Sequence, residues 1–151
     1  MIRKRLATVL AATVLAGGFV GLSAGAAHAS ARVNKCGSAY DFKRSWEIND
    51  IHNVAAVVGF IDIYYNSGNG YNCAIARGND AVVSGQHEIF VEIRRSRDST
   101  WIKDGVGSNY TQYAGPVYAY AKGACIDFIG GLKYNEFSGT GDTGYSFEHC
   151  G

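Results

Sequence analysis

Val54-Ala55-Ala56-Val57-Val58-Gly59-Phe60-Ile61-Asp62-Ile63-Tyr64-Tyr65 is the stretch that decides the fold class. It is rich in β-branched and aromatic residues and apolar on both faces for much of its length, as a strand covered on both sides must be. Its opening Ala-Ala-Val-Val is also compatible with a helix. The run stops at Asn66-Ser67-Gly68-Asn69-Gly70, a string of turn-formers, and Tyr71 to Arg77 returns. This spacing predicts a hairpin whose second strand carries Cys73.

Working outward, the next run alternates cleanly. Ile89, Val91 and Ile93 point to one face, predicted as core, and Glu88, Phe90, Glu92 and Arg94 to the other, predicted as mostly solvated. Ser96 to Ser99 reads as a polar turn, and Thr100-Trp101-Ile102 begins the return. Pro116 to Tyr120 and Ala124 to Phe128 flank Ala121-Lys122-Gly123, which predicts a further hairpin. The tail from Tyr134 is glycine-rich and includes the short alternating piece Tyr145-Ser146-Phe147. There is one proline, and no repeat or low-complexity segment. About six to eight short strands at this spacing indicate an all-β fold, a small single-domain β-sandwich or barrel.

The first thirty residues differ from the rest. Arg3, Lys4 and Arg5 precede an apolar stretch from Leu6 to Val20, and Ala27-His28-Ala29 supplies small residues at a cleavage position. This is the order of a secretory signal peptide, residues 1–29, leaving residues 30–151 as one secreted β domain. The apolar part, broken by Gly17 and Gly18, falls short of the ~20 residues that a membrane span needs. Cleavage removes three of the fourteen basic residues and none of the thirteen acidic ones, so the mature chain carries a net charge of −2. Such a chain has no electrostatic reason to bind nucleic acid or an anionic membrane. Arg94, Arg95 and Arg97 read as a solvated strand end. Neither a lipoprotein acylation site around Cys36 nor an apolar C-terminal tail is present, so attachment to a surface would be non-covalent.

Cys36, Cys73, Cys125 and Cys150 all fall in the mature part. An even number in a small exported domain predicts two disulfides, and no C-x-x-C pair suggests redox or zinc chemistry. Three pairings are possible; the sequential one, Cys36 with Cys73 and Cys125 with Cys150, is preferred.

Chemical motifs thin out on inspection. Gly139-Thr140-Gly141-Asp142-Thr143-Gly144 matches a dinucleotide fingerprint in its letters. Too little chain follows for the helix whose N-terminus would hold a pyrophosphate, so the string reads as a flexible glycine loop. Asp142-Thr143-Gly144 is also the aspartic-protease triad, but only one copy exists. His52, His87 and His149 show no ligand spacing and read as isolated surface residues. Glu88 and Glu92 share a strand face as glycosidase carboxylates do, yet so do residues of any solvated strand. No G-x-S-x-G elbow occurs. No catalytic, cofactor-binding or metal-binding residue is assigned, and no cofactor is expected.

The unusual feature is aromatic: ten tyrosines and two tryptophans. Tyrosine presents a flat apolar body with a polar tip, suited to sugar stacking and wet interfaces, although sheets also favour it for packing. Trp46, Trp101, Tyr118 and Tyr120 are the candidate surface-binding residues.

Several stretches together resemble a known family. Cys36-Gly37-Ser38-Ala39-Tyr40 opens the domain, Asn72-Cys73 follows the first hairpin loop, and Cys150-Gly151 closes the chain. Between them run Tyr110-Thr111-Gln112-Tyr113-Ala114-Gly115-Pro116-Val117-Tyr118 and Gly123-Ala124-Cys125-Ile126-Asp127. The chain resembles the spore-associated protein A family of filamentous, spore-forming actinobacteria over essentially its whole mature length. Phe128 stands where a tryptophan is often expected, and Arg94 to Arg97 is more basic than usual. The resemblance implies a small secreted protein found with spores or aerial growth, and it brings no catalytic residues to carry over. The expected function is a secreted spore- or cell-surface-associated protein without enzymatic activity, its partner a polysaccharide or protein of the spore or wall. A carbohydrate-binding module using exposed tyrosines is the alternative, and a small hydrolase or hydrolase inhibitor the third.

Overall fold

The apolar run at residues 57–66 is buried on both faces because two different cores meet on it. It is the second of eight strands in a computed structural model that describes residue 32 and residues 34–83, 85, 87–134, 137–142 and 150. The strands are β1 (Asp41–Asp50), β2 (Val57–Asn66), β3 (Tyr71–Gly78), β4 (Glu88–Arg95), β5 (Ile102–Asp104), β6 (Tyr113–Tyr120), β7 (Ile126–Tyr134) and β8 (Phe137–Asp142). No helix occurs among the described residues. The expected signal peptide with its cleavage site, the 143–144 end of the glycine string, Tyr145-Ser146-Phe147 and His149 lie outside those residues.

All pairings are antiparallel, in the order β5-β4-β7-β8-β1-β2-β3-β6. The ladder has one thin place: β1 meets β8 through only Asn49 opposite Thr140 and Asp50 opposite Gly139. The sheet turns there, so that β5-β4-β7-β8 faces β1-β2-β3-β6 and β4 packs over β6 and β3. The result lies between a sandwich and an unclosed barrel. At the open side the halves touch through a backbone exchange between His87 and Tyr110, 2.9 Å in each direction.

Between the halves lies the larger core. Ile61 and Ile63 of β2, Ala74 and Ala76 of β3, Val117 and Ala119 of β6, and Ile126, Phe128 and Leu132 of β7 are all buried there. Ile89, Val91 and Ile93 of β4 complete it, as the alternation predicted. Glycine is required where backbones nearly touch. A β-carbon on Gly139 would lie 2.3 Å from the Asn49 carbonyl oxygen, and one on Gly105 (φ +92°) 2.0 Å from that of Ile89. Gly139–Asp142 is therefore strand at the join between the halves, and not the flexible loop expected from its composition.

The smaller core sits on the outer face of β2 and β3, where Cys36, Tyr64, Cys73 and Ile75 are buried. The segment 34–40 folds over it, fastened by the Cys36–Cys73 disulfide and by the Tyr118 hydroxyl, which donates to the Cys36 carbonyl at 3.2 Å. The other disulfide is Cys125–Cys150, so the pairing is the preferred sequential one. Cross-links over 37 and 25 residues stabilise by about 3–4 kcal/mol each in the chain-entropy account.

Two local expectations fail. β2 begins at Val57 and not at Val54 as expected: residues 54–56 form a turn into it, neither strand nor the helix their composition allowed, since Ala56 donates back to Asn53 and its carbonyl accepts from Asp50. Pro116–Tyr120 and Ala124–Phe128 are not a hairpin. β6 pairs with β3, β7 pairs with β4 and β8, and Ala121-Lys122-Gly123 crosses from one half to the other. A short turn permits a hairpin, but the free edges of β3 and β4 decide the pairing.

Buried within β2, Asp62 is fully covered. Its Oδ2 accepts from Arg77 Nε at 2.7 Å and its Oδ1 from Ser45 Oγ at 2.5 Å. Removing the carboxylate strips a desolvated guanidinium of its counter-charge. Asp62→Ala is expected to destabilise by about 3–5 kcal/mol, whereas the exposed Lys103→Gln stays within about 0.5 kcal/mol; urea unfolding midpoints measure both.

Burial raises the phenol pKa of Tyr64, with the nearby Asp62 carboxylate adding to it and Arg32 and Arg77 opposing. Burial likewise raises that of Tyr118, with Tyr40 adding. Folding thus favours the neutral phenols, and this stability is complete below the ordinary tyrosine value near 10 and lost as pH rises through the elevated folded values. Urea midpoints followed by circular dichroism are expected to hold to about pH 9.5 and fall above about pH 10. Tyr64→Phe and Tyr118→Phe each shallow that fall; an unchanged slope in both would refute the assignment.

Candidate functional site

Two ion pairs organise the polar groups on the outer faces of the two halves. Asp127 on β7 repeats the arrangement around Asp62 on the opposite half: Oδ2 accepts from Arg94 Nε at 2.9 Å and Oδ1 from Ser96 Oγ at 2.6 Å. Each arginine also lies over an aromatic ring, Arg77 at 4.4 Å from the Phe60 centroid and Arg94 at 4.3 Å from that of Trp101. Asp104 spans the open side, accepting from the Tyr110 hydroxyl at 3.0 Å and from the Gly115 amide at 2.7 Å. In each of the three carboxylates both oxygens are occupied by internal donors.

Among the described residues no group of three or more His, Cys, Asp or Glu side chains is placed to hold a metal ion. His87 is buried and not on the surface as expected, its Nδ1 2.8 Å from the Gly85 carbonyl and its ring edge-on to Tyr134. His52 is exposed. Glu88 accepts from the Gly107 amide at 3.1 Å, the capping role of an ordinary strand-end carboxylate. Arg94 departs from the solvated strand end expected of the basic cluster, because Asp127 and Trp101 hold it.

The four candidate aromatic residues do not converge. Trp46 is half-buried, its ring 4.7 Å from that of Phe128 and covered outside by Arg44. Trp101 is half-buried beneath Arg94. Tyr118 packs on Tyr40 and anchors segment 34–40. Tyr120 is 51% exposed, and it pairs with Tyr71, 39% exposed, in an edge-to-face contact at 5.4 Å. Tyr71 was not among the four surface-binding candidates. It becomes the partner of Tyr120 only through the β3–β6 register, which places the two directly opposite.

The exposed pair borders a cleft of about 370 Å³, closed on its other side by Arg95, Asp98, Thr100 and Ile102. The 95–100 turn that forms this second wall is well anchored. Arg94 Nη1 donates to the Asp98 carbonyl at 3.0 Å, the Ser96 amide to the Cys125 carbonyl at 2.9 Å, and the Asp98 amide to the Arg95 carbonyl at 3.0 Å. Arg97 takes the left-handed conformation, φ 74°, that tightens the turn.

Comparison with known proteins supplies one relative. The chain is 33% identical over 111 residues to Spore-associated protein A of Streptomyces coelicolor, a match covering 72% of this chain and 65% of the relative. No family model matches the chain, and no solved structure does. The sequence resemblance and this match agree, and the chain belongs to the spore-associated protein A family.

Proposed function

We propose that the protein is an exported, non-enzymatic component of the spore or cell surface, held there by non-covalent contacts. The observation that carries this reading is the use of its polar groups. Asp62, Asp104 and Asp127, each with a fixed partner on either oxygen, serve as structural ties, whereas catalysis needs titratable groups converging on a pocket. The name of the relative from Streptomyces coelicolor supports a spore setting. Two disulfides suit an oxidising, extracellular location, as does the signal-peptide pattern of residues 1–29.

With a mature net charge of −2, the expected partner is a polysaccharide or protein of the spore or wall, and neither nucleic acid nor membrane. A second reading, a carbohydrate-binding module, is favoured by one specific observation: Tyr71 and Tyr120 are exposed together beside a polar wall. A hydrolase or hydrolase inhibitor has no comparable support among the described residues.

The test uses protein produced with its leader in an exporting host and recovered from the medium. Incubation with washed spores and with purified vegetative wall is expected to show saturable retention on at least one, released by concentrated guanidinium. Retention on neither, or retention that guanidinium does not reverse, contradicts non-covalent surface attachment.

A further inference from the structure

We propose that the cleft between the Tyr71–Tyr120 pair and the 95–100 turn binds a neutral, β-1,4-linked polysaccharide chain. The inference rests on the surface reading above and names the site and ligand class that would serve it. A sugar ring has a flat C–H face and a rim of hydroxyls that both donate and accept. It therefore needs an apolar platform on one side and mixed donors and acceptors on the other, and the cleft is divided in that way.

One wall is aromatic. Tyr71 and Tyr120 form a cross-strand pair, so the sheet ladder sets their positions, and their edge-to-face geometry leaves ring surface open to solvent. Gly70 admits this arrangement, since a β-carbon there would lie 2.7 Å from Lys122 Cβ and 3.0 Å from Tyr120 Cε2. The facing wall is polar. Arg95 offers a fork of donors, Asp98 two acceptors and Thr100 a hydroxyl that does either, with Ile102 as an apolar floor. All four are exposed. In contrast to Arg94 and Asp127, the side chains of Arg95 and Asp98 have no partner within the described residues.

Arg94, which also lines this wall, is neutralised by Asp127, and Arg95 and Asp98 carry opposite charges, so the wall has no net charge and suits a neutral ligand. The cleft volume, about 370 Å³, lies at the small end of ligand sites, roughly 300–1,000 Å³, and its openness to solvent suits a segment of a longer chain. The two rings stand at 65° to each other, so together they offer one ring face and one ring edge, which a β-1,4-linked chain meets with the flat face of one sugar and the C–H rim beside it. Both walls are fixed before binding, one by a ladder and one by the Arg94 and Ser96 ties, which lowers the ordering cost of association.

Titration calorimetry of the exported full chain with the β-1,4-linked tetramers of N-acetylglucosamine and of glucose tests this. Saturable binding to at least one is expected. Tyr120→Ala, Tyr71→Ala and Arg95→Ala should each weaken it by about tenfold or more, Tyr120→Phe should retain it, and Lys103→Ala should not alter it. Added salt should change the affinity by less than about twofold, because a neutral ligand has no charge to screen. Unchanged thermal unfolding of the exposed-site variants separates lost binding from lost fold. Binding to neither tetramer by protein that is retained on spores would overturn the cleft assignment and leave surface attachment standing. Binding that survives Tyr71→Ala combined with Tyr120→Ala would also overturn it, and failure on spores and tetramers together would overturn both readings.

Discussion

The sheet depends on a contact two residue pairs long, Asn49 with Thr140 and Asp50 with Gly139. Every other ladder around it is longer, so the halves are stiff and their joint is thin. The joint can form only because Gly139 has no β-carbon to meet the Asn49 carbonyl. The neighbouring Gly130 and Gly131 of β7 are under similar pressure. A β-carbon on Gly130 would meet Ile61 at 2.7 Å, and one on Gly131 would meet the Phe90 ring at 2.6 Å. Glycines concentrated at a corner let a strongly bent sheet bring its faces together. The string that resembles a dinucleotide fingerprint in its letters is, in part, this corner.

Once the halves face each other, each is tied on its outer side by the same chemical device. Aspartate, arginine, serine and an aromatic ring recur as Asp62, Arg77, Ser45 and Phe60 on one half, and as Asp127, Arg94, Ser96 and Trp101 on the other. Their burial differs. The side chains of Arg77 and Asp62 are 7% and 0% exposed, those of Arg94 and Asp127 27% and 12%. A fully desolvated pair is costly to break and fixes strand register, while a half-solvated one adds less to stability. The second pair instead shapes a surface turn, because Arg94 reaches on to the Asp98 carbonyl. One motif thus serves as a rivet in one place and as a bracket in the other.

How far this was legible in the sequence follows from the range of each signal. The two-sided burial of β2, the 71–77 return and the core face of β4 rest on short-range periodicity, and all three are present. The sequential disulfides follow as well. The 121–123 turn was misread because turn chemistry reports a reversal, not which edge receives the strand. His87 looked like surface because nothing local reveals that Tyr110, twenty-three residues on, closes over it. Asp62, a lone charge in an apolar run, was a readable sign of a buried partner, but Arg77 could be named only from the β2–β3 register. The aromatic candidates divided for the same reason. Trp46 and Tyr118 alternate correctly along their strands yet pack inward or beneath segment 34–40, while Tyr71 acquires its exposed neighbour across a ladder.

That division bears on function through a physical distinction between committed and uncommitted polar groups. An ion pair with both carboxylate oxygens engaged has already exchanged much of its hydration for internal partners and offers little to a ligand. Arg95 and Asp98 lie beside such a pair, on a turn that it stiffens, and are exposed with no side-chain partner among the described residues. They can therefore trade water for a ligand without dismantling the fold. Stability and recognition draw on adjacent residues, Arg94 tied to Asp127 at the border of the cleft and Arg95 lining the cleft with no side-chain partner among the described residues. The separation lets the unpaired residues of the turn change while the carboxylates of Asp62 and Asp127 keep the sheet in register.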